Sequence, residues 1–160
     1  MIGALAAVSA TDILRFDLAT KEITPLVTTP FNDEDPALSP DDHLLAYASE
    51  QSGRWEVYVQ ALGGGRGQWQ VSSDGGMRPR WRADGRELFF QSGPDRVMSV
   101  EVESGDVPHF SAPRELFRQA IQSYDVKPDG QRIVVLRPSD GDVAKPLTIL
   151  TNWTRRIPDR

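Results

Sequence analysis

The sequence predicts an all-β chain, a partial β-propeller of four-stranded antiparallel blades with two complete blades and two partial ones. Three observations predict it. A short phrase recurs at Pro36-Ala37-Leu38-Ser39-Pro40-Asp41-Asp42, at Pro79-Arg80-Trp81-Arg82-Ala83-Asp84-Gly85 and at Tyr124-Asp125-Val126-Lys127-Pro128-Asp129-Gly130. Its aspartates Asp41, Asp84 and Asp129 stand 43 and 45 residues apart, and a strand-patterned repeat of about 40–45 residues has the length of a propeller blade. An apolar run follows each phrase, at residues 44–48, 87–90 and 132–136. Helical periodicity is nearly absent: only residues 114–120 have the pattern of a short helical turn.

The whole chain, residues 1–160, reads as one propeller segment. A first partial blade covers residues 1–29. Residues 4–9 read as a strand rather than a signal peptide, because the apolar run is short and no Lys or Arg precedes it. Residues 13–18 and 23–27 form a hairpin around Ala19-Thr20-Lys21-Glu22. Pro25 marks its second arm as an edge strand, since Pro has no N–H for the ladder. No copy of the phrase precedes this piece, so it reads as a blade that has lost its first strand.

The second blade, residues 36–73, is complete, with strands at 36–39, 44–49, 55–62 and 68–72. Alternation in the third of these sets Trp55, Val57 and Val59 on one face and Glu56, Tyr58 and Gln60 on the other. The third blade, residues 79–118, has strands at 80–82, 87–91, 97–102 and 114–117, turned by Gly93-Pro94-Asp95 and Gly105-Asp106. The fourth, residues 123–154, has strands at 123–126, 132–136 and 147–150 and stops after Asn152-Trp153, ahead of a charged tail at 155–160.

The repeated phrase has a physical role. Pro presets φ at the first turn position, Asp bonds back to nearby amides, and Gly accepts the positive φ of the bend. Asp42 replaces the Gly in the first copy and Ala83 the Pro in the second; Asp tolerates the left-handed region better than most residues. Turn chemistry therefore accounts for a recurring aspartate without catalysis. Trp55, Trp69, Trp81 and Trp153 read as packing between blades rather than as a stacking platform.

Composition excludes several classes. The formal net charge is −5 and Lys and Arg are scattered, which argues against nucleic acid as a partner. With no cysteine there is no disulfide, thiolate metal site or cysteine nucleophile. No run reaches the roughly 18 apolar residues of a membrane-spanning helix, so no direct membrane insertion is expected.

Neither metal nor cofactor is expected. Gly63-Gly64-Gly65-Arg66-Gly67 joins two strands and lacks the helix and the Lys and Ser or Thr of a phosphate loop. Asn32-Asp33-Glu34-Asp35 gathers oxygen donors without the spacing of a calcium loop. His43 and His109 stand alone, and no Gly-x-Ser-x-Gly elbow occurs. Paired carboxylates for glycoside chemistry would need a separation that the sequence does not supply.

The phrases, together with Ser52-Gly53-Arg54-Trp55-Glu56-Val57-Tyr58-Val59, the Gly63-Gly64-Gly65 loop, Trp69-Gln70-Val71-Ser72, Asp84-Gly85-Arg86-Glu87-Leu88-Phe89 and Leu150-Thr151-Asn152-Trp153, resemble the TolB-type, WD-repeat-like propeller family. The series looks most like the C-terminal propeller of bacterial eukaryotic-like serine/threonine kinases. Such kinases carry their catalytic domain upstream, and this sequence has no Val-Ala-Ile-Lys, His-Arg-Asp or Asp-Phe-Gly element with which to transfer phosphate. The resemblance implies a sensing or docking module of a signalling protein, extracytoplasmic by analogy, although the lack of a signal peptide also fits the cytoplasm. A chain that begins inside a blade suggests a fragment or a split gene product.

The leading expectation is a non-catalytic module that binds a protein partner or small ligand at one mouth of the channel, where loops 30–35, 73–78 and 119–123 precede the first strands. Asp33 and Asp35 belong to the first loop, and Arg78, Arg80 and Arg82 add positive charge near that mouth. Two partial blades also allow a homodimer that completes the propeller. The rivals are a small propeller hydrolase or lyase, with at least two carboxylates of raised pKa in a deep pocket, and a truncated product without a function of its own.

Overall fold

The computed structural model describes residues 10–64, 67–105, 107–138 and 149–151, the last three by their backbone. The strands expected at residues 4–9, the centre of the loop at 63–67, Asp106, residues 147 and 148, Trp153 and the tail lie outside the described residues.

Among the described residues, four antiparallel sheets follow one another along the chain. The first is the hairpin β1 (Ile13–Phe16) and β2 (Ile23–Val27). The second runs in chain order through β3 (Asp33–Leu38), β4 (Leu44–Ser49), β5 (Glu56–Ala61) and β6 (Gln68–Gln70). In the third, β7 (Met77–Trp81) pairs with β8 (Glu87–Ser92) and β8 with β9 (Arg96–Glu103). Its outer edge is shared by β10 (His109–Phe110) and β11 (Arg114–Arg118), both paired with β9. The fourth is β12 (Ser123–Val126), β13 (Arg132–Leu136) and β14 (Ile149–Thr151).

The outer edge agrees with the expected strand at 114–117 and adds to it. Residues 114–118 form a strand, which decides against the helical turn that the same residues also allowed, and His109–Phe110 precede it as a strand the pattern did not show. The cause is the long free edge of β9, whose pairing overrides the local pattern. Ser111 bridges the break: its N–H donates to the Glu101 carbonyl (3.0 Å) and its hydroxyl accepts the Glu101 N–H (2.9 Å).

The repeated phrase builds the same turn three times. Asp42, Gly85 and Gly130 donate their N–H groups to the carbonyls of Ser39, Arg82 and Lys127 (3.0, 2.9 and 2.8 Å). All three occupy the left-handed region, with φ of 60°, 72° and 69°, so Asp42 does what Gly does in the other copies. The aspartate before each accepts the N–H two residues on: Asp41 from His43 (3.1 Å), Asp84 from Arg86 (3.0 Å) and Asp129 from Gln131 (2.9 Å). Hydrogen bonds to the ionised form hold all three carboxyls below the ordinary aspartate value of 3.8, chiefly from the Ser39 hydroxyl at Asp41, the Arg82 guanidinium at Asp84 and the Gln131 amide at Asp129.

Cores lie between sheets, not within them. Strand alternation sends Leu45, Tyr47 and Tyr58 toward the first hairpin, where they pack with Ile13 and Val27. The opposite face sends Ala46, Val57 and Val59 against Leu88, Phe90, Val100 and Val102 of the third sheet. The far face of that sheet packs Phe89 and Val97 on Tyr124, Ile133 and Val135. Trp69 and Trp81 flank the middle core, and the Trp81 indole N–H donates to the Ala37 carbonyl across the sheet boundary (2.9 Å). At the two ends of the stack, Leu14, Phe16 and Ile23 on one side and Val134 and Leu136 on the other are exposed.

Candidate mouth and its cleft

The innermost strands β3 and β7 begin earlier than the phrase implies, each with a β-bulge before its proline. The register slips between Glu34 and Ala37 and between Met77 and Arg80. Asp35 and Arg78 sit in the bulges, both with φ of 53°, a conformation that costs a non-glycine residue about 1–3 kcal/mol unless its surroundings hold it. Neighbouring blades do hold it. Arg78 donates its N–H to the Asp35 carboxylate (3.1 Å), and the Arg78 carbonyl accepts the hydroxyl of Tyr124 from the fourth sheet (2.6 Å). Burial pushes the Tyr124 phenol far up, so its hydroxyl stays a donor.

The loops before the inner strands meet the β4–β5 and β8–β9 turns at this end. The Arg78 guanidinium donates to the Gln91 amide oxygen (2.8 Å), and the Gln91 amide reaches the carbonyls of Gly93 (3.0 Å) and Ile121 (3.3 Å). Ile121 donates its N–H to the Pro94 carbonyl (2.8 Å), and Gly76 its N–H to the Trp55 carbonyl (2.9 Å).

Beneath loop 73–76 lies a fully buried carboxylate, Glu56. It accepts Arg54 Nε (2.6 Å), the Gly75 N–H (3.1 Å) and the Ser72 hydroxyl, while Arg54 also donates to the Ser73 carbonyl. Ser72 in turn accepts the Val57 N–H (2.7 Å). A β-carbon on Gly76 would meet the Ser72 hydroxyl at 2.5 Å and Val57 Cγ2 at 2.9 Å, so only glycine fits there. Above this network opens a cleft of about 370 Å³, walled by Arg54, Trp55, Met77, Arg78, Gln91 and Pro94.

The five residues expected at the mouth separate into four placements. Asp35 and Arg78 are joined at the bulges. Arg80 is half-buried on the same strand and lies 4.0 Å from Asp125 of the next inner strand, a contact exposed on both sides. Asp33 is not a surface group: it is buried, accepts the Thr29 hydroxyl (2.6 Å) and keeps its other oxygen unpartnered among the described residues. Arg82 belongs to the opposite end. Four residues on from Arg78, past the bulge, it binds Asp84 (2.7 Å) and Glu87 (2.9 Å). The expected positive spot near one mouth is therefore divided between the two ends of the strand.

At that opposite end, a groove of about 350 Å³ is lined by Arg82, Arg86, Glu87, Glu101, Glu103 and Arg114. Glu87 is bracketed by the guanidiniums of Arg82 (2.9 Å) and Arg114 (3.4 Å). Among the described residues, no three His, Asp or Glu side chains are grouped to hold a metal ion.

Sequence reasoning missed Glu56, Arg54 and Gln91. The available signal was a charged residue inside the apolar strand 56–61, next to an arginine two positions before it.

No family model matches the chain, and no curated protein does. Solved structures match its fold. TolB from Acinetobacter baumannii shares 16% identity at a TM-score of 0.67, over 90% of this chain and 36% of that one. A TolB candidate from Agrobacterium tumefaciens shares 18% at 0.51, over 68% of this chain and 43% of that one. An oligogalacturonate lyase from Vibrio parahaemolyticus shares 14% at 0.57, over 78% and 35%. The fold is a partial β-propeller of TolB type. The chain spans well under half the length of each of these structures.

Proposed function

We propose that this propeller segment is a non-catalytic recognition module that binds a protein partner or small ligand at the mouth formed by Asp35, Arg78 and the loops around them. The observation that supports it most is the linkage of Asp35, Arg78, Gln91 and Ile121, which draws loops of three blades around one cleft. Rigid sheets presenting convergent loops are the usual way a propeller binds. At the other end, the phrase aspartates are committed to turns and Glu87 to two guanidiniums. The resemblance to kinase-linked propellers supports a place in a bacterial signalling protein.

The test is partner capture by the chain carrying Asp35→Ala and Arg78→Ala, with Arg86→Ala at the opposite end as control. Loss in the first and retention in the second is expected; equal capture by both overturns the assignment. A hydrolase or lyase would instead turn over a polyuronate or lactone and lose that turnover in Glu101→Gln.

A second copy completing the propeller is the companion proposal, supported by the exposed apolar residues Leu14, Phe16, Ile23, Val134 and Leu136 at the two ends of the stack. Light scattering coupled to size exclusion decides it: a discrete dimer is expected, and a stable monomer at high concentration overturns it.

A further inference from the structure

Resting on the recognition reading above, we infer that the cleft between the β4–β5 turn and loop 73–78 binds a small anion with a flat apolar body, an aromatic carboxylate in chemical class.

Size, charge and shape point the same way. A volume of about 370 Å³ lies within the range of small-molecule sites. The charged side chains lining it are both cations, Arg54 and Arg78. Arg54 is answered by the buried Glu56 carboxylate behind it (2.6 Å). Arg78 is not answered in this way: its guanidinium donates to the neutral amide of Gln91 (2.8 Å), and Asp35 takes its backbone N–H rather than its side chain. No carboxylate stands within salt-bridge distance of the Arg78 guanidinium among the described residues. The Arg78 guanidinium is thus the one cation of the cleft lining without a carboxylate on its side chain among the described residues, which favours an anionic over a neutral ligand.

The remaining donors suit a carboxylate. A guanidinium has five N–H groups in a planar fork. Arg78 spends one on Gln91, a bond that also fixes where the fork points, and its backbone is fixed by the bulge. Trp55 supplies a broad aromatic wall, and Met77 and Pro94 further apolar surface. Glycines at 75, 76 and 93 line the cleft without adding side chains to it. Stacking of a flat ring on Trp55 with its carboxylate toward Arg78 satisfies both features at once.

Isothermal titration of the full chain with 2-naphthoate, and separately with neutral 2-naphthamide, tests this. The acid is expected to bind about ten-fold tighter than the amide, and the preference to shrink with added salt. Arg78→Gln is expected to lose that preference, and Trp55→Ala to weaken acid and amide alike. No saturable binding of 2-naphthoate, or equal binding of acid and amide to the unaltered chain, overturns the inference whatever the variants do. If 2-naphthoate fails while Asp35→Ala and Arg78→Ala still lose a captured partner, the ligand class is wrong and the recognition reading stands. If 2-naphthoate binds as expected while those variants keep the partner, the cleft is a ligand site and protein recognition lies elsewhere.

Discussion

The two ends of the blades are built on opposite rules. At the hairpin end, the three repeats are near copies: one turn, one left-handed residue, one aspartate accepting the N–H two positions on. At the mouth, equivalent positions differ. The first bulge holds Asp35, the second Arg78, and the third inner strand has Ser123 at that place without a positive φ. The repeated end is closed by its own hydrogen bonds. The varied end keeps a buried carboxylate, a strained arginine and an open cleft. In a repeat protein, identity between copies marks what every blade needs in order to fold. Difference marks what a particular blade has been free to become.

Breaking the support beneath the mouth should have the largest effect. Glu56→Ala leaves Arg54, Ser72 and the Gly75 N–H without their shared acceptor. A loss of about 3 kcal/mol in urea unfolding is expected, toward the low end for a broken buried pair because Arg54 is more than half exposed. Gly76→Ala should cost about 1–3 kcal/mol by overpacking Ser72 and Val57. A loss under 0.5 kcal/mol in both variants would mean that the mouth is not held from below.

The hairpin end should respond less, and alike in each copy. Gly85→Ala should cost about 1 kcal/mol, since φ of 72° suits only glycine well. Asp42→Gly should be neutral or gain about 0.5 kcal/mol. A large loss in Asp42→Gly would show that the Asp42 side chain does more than occupy the bend.

Acid should expose the same end. The folded-state pKa values of Asp41, Asp84 and Asp129 lie below the ordinary 3.8, so their contribution is fully present above that value and disappears as pH falls through the lowered ones. Urea midpoints should drop below about pH 4, and an Asp→Asn change at all three positions should flatten that drop. An unchanged slope would remove the turns from the acid response. Smallest of all, Arg80→Ala should leave the melting temperature unmoved, because its contact with Asp125 is long and exposed.

The fold was legible because a turn is a local object: Pro, Asp and Gly at fixed offsets dictate it whatever surrounds them. Asp42 in a glycine's place was read correctly for the same reason. The candidate site was legible only in part. The bulges at Asp35 and Arg78 precede the phrase and depend on pairing with β4 and β8, which no local pattern encodes. Asp33 was expected in the mouth loop and is instead buried. Arg82 was grouped with Arg78 as positive charge near one mouth, but it lies at the other end of the strand, bound to Asp84 and Glu87. Residues 114–117 were expected as a strand, but the short strand His109–Phe110, which shares the β9 edge with them, was not. Each miss is a question of what lies opposite a residue, and sequence periodicity is silent on that.

The clasp at each bulge also sets an order in time. Asp35 is caught by Arg78, and Arg78 by Tyr124, always by the blade that comes later in the chain. On a ribosome, where chains emerge from the N-terminus, the strained wall of one blade stays unlatched until the inner strand of the next has left the exit tunnel. The inner wall therefore sets progressively, like mortar behind a moving trowel, and the sheet that carries Tyr124 is the one that secures the Arg78 wall of the cleft.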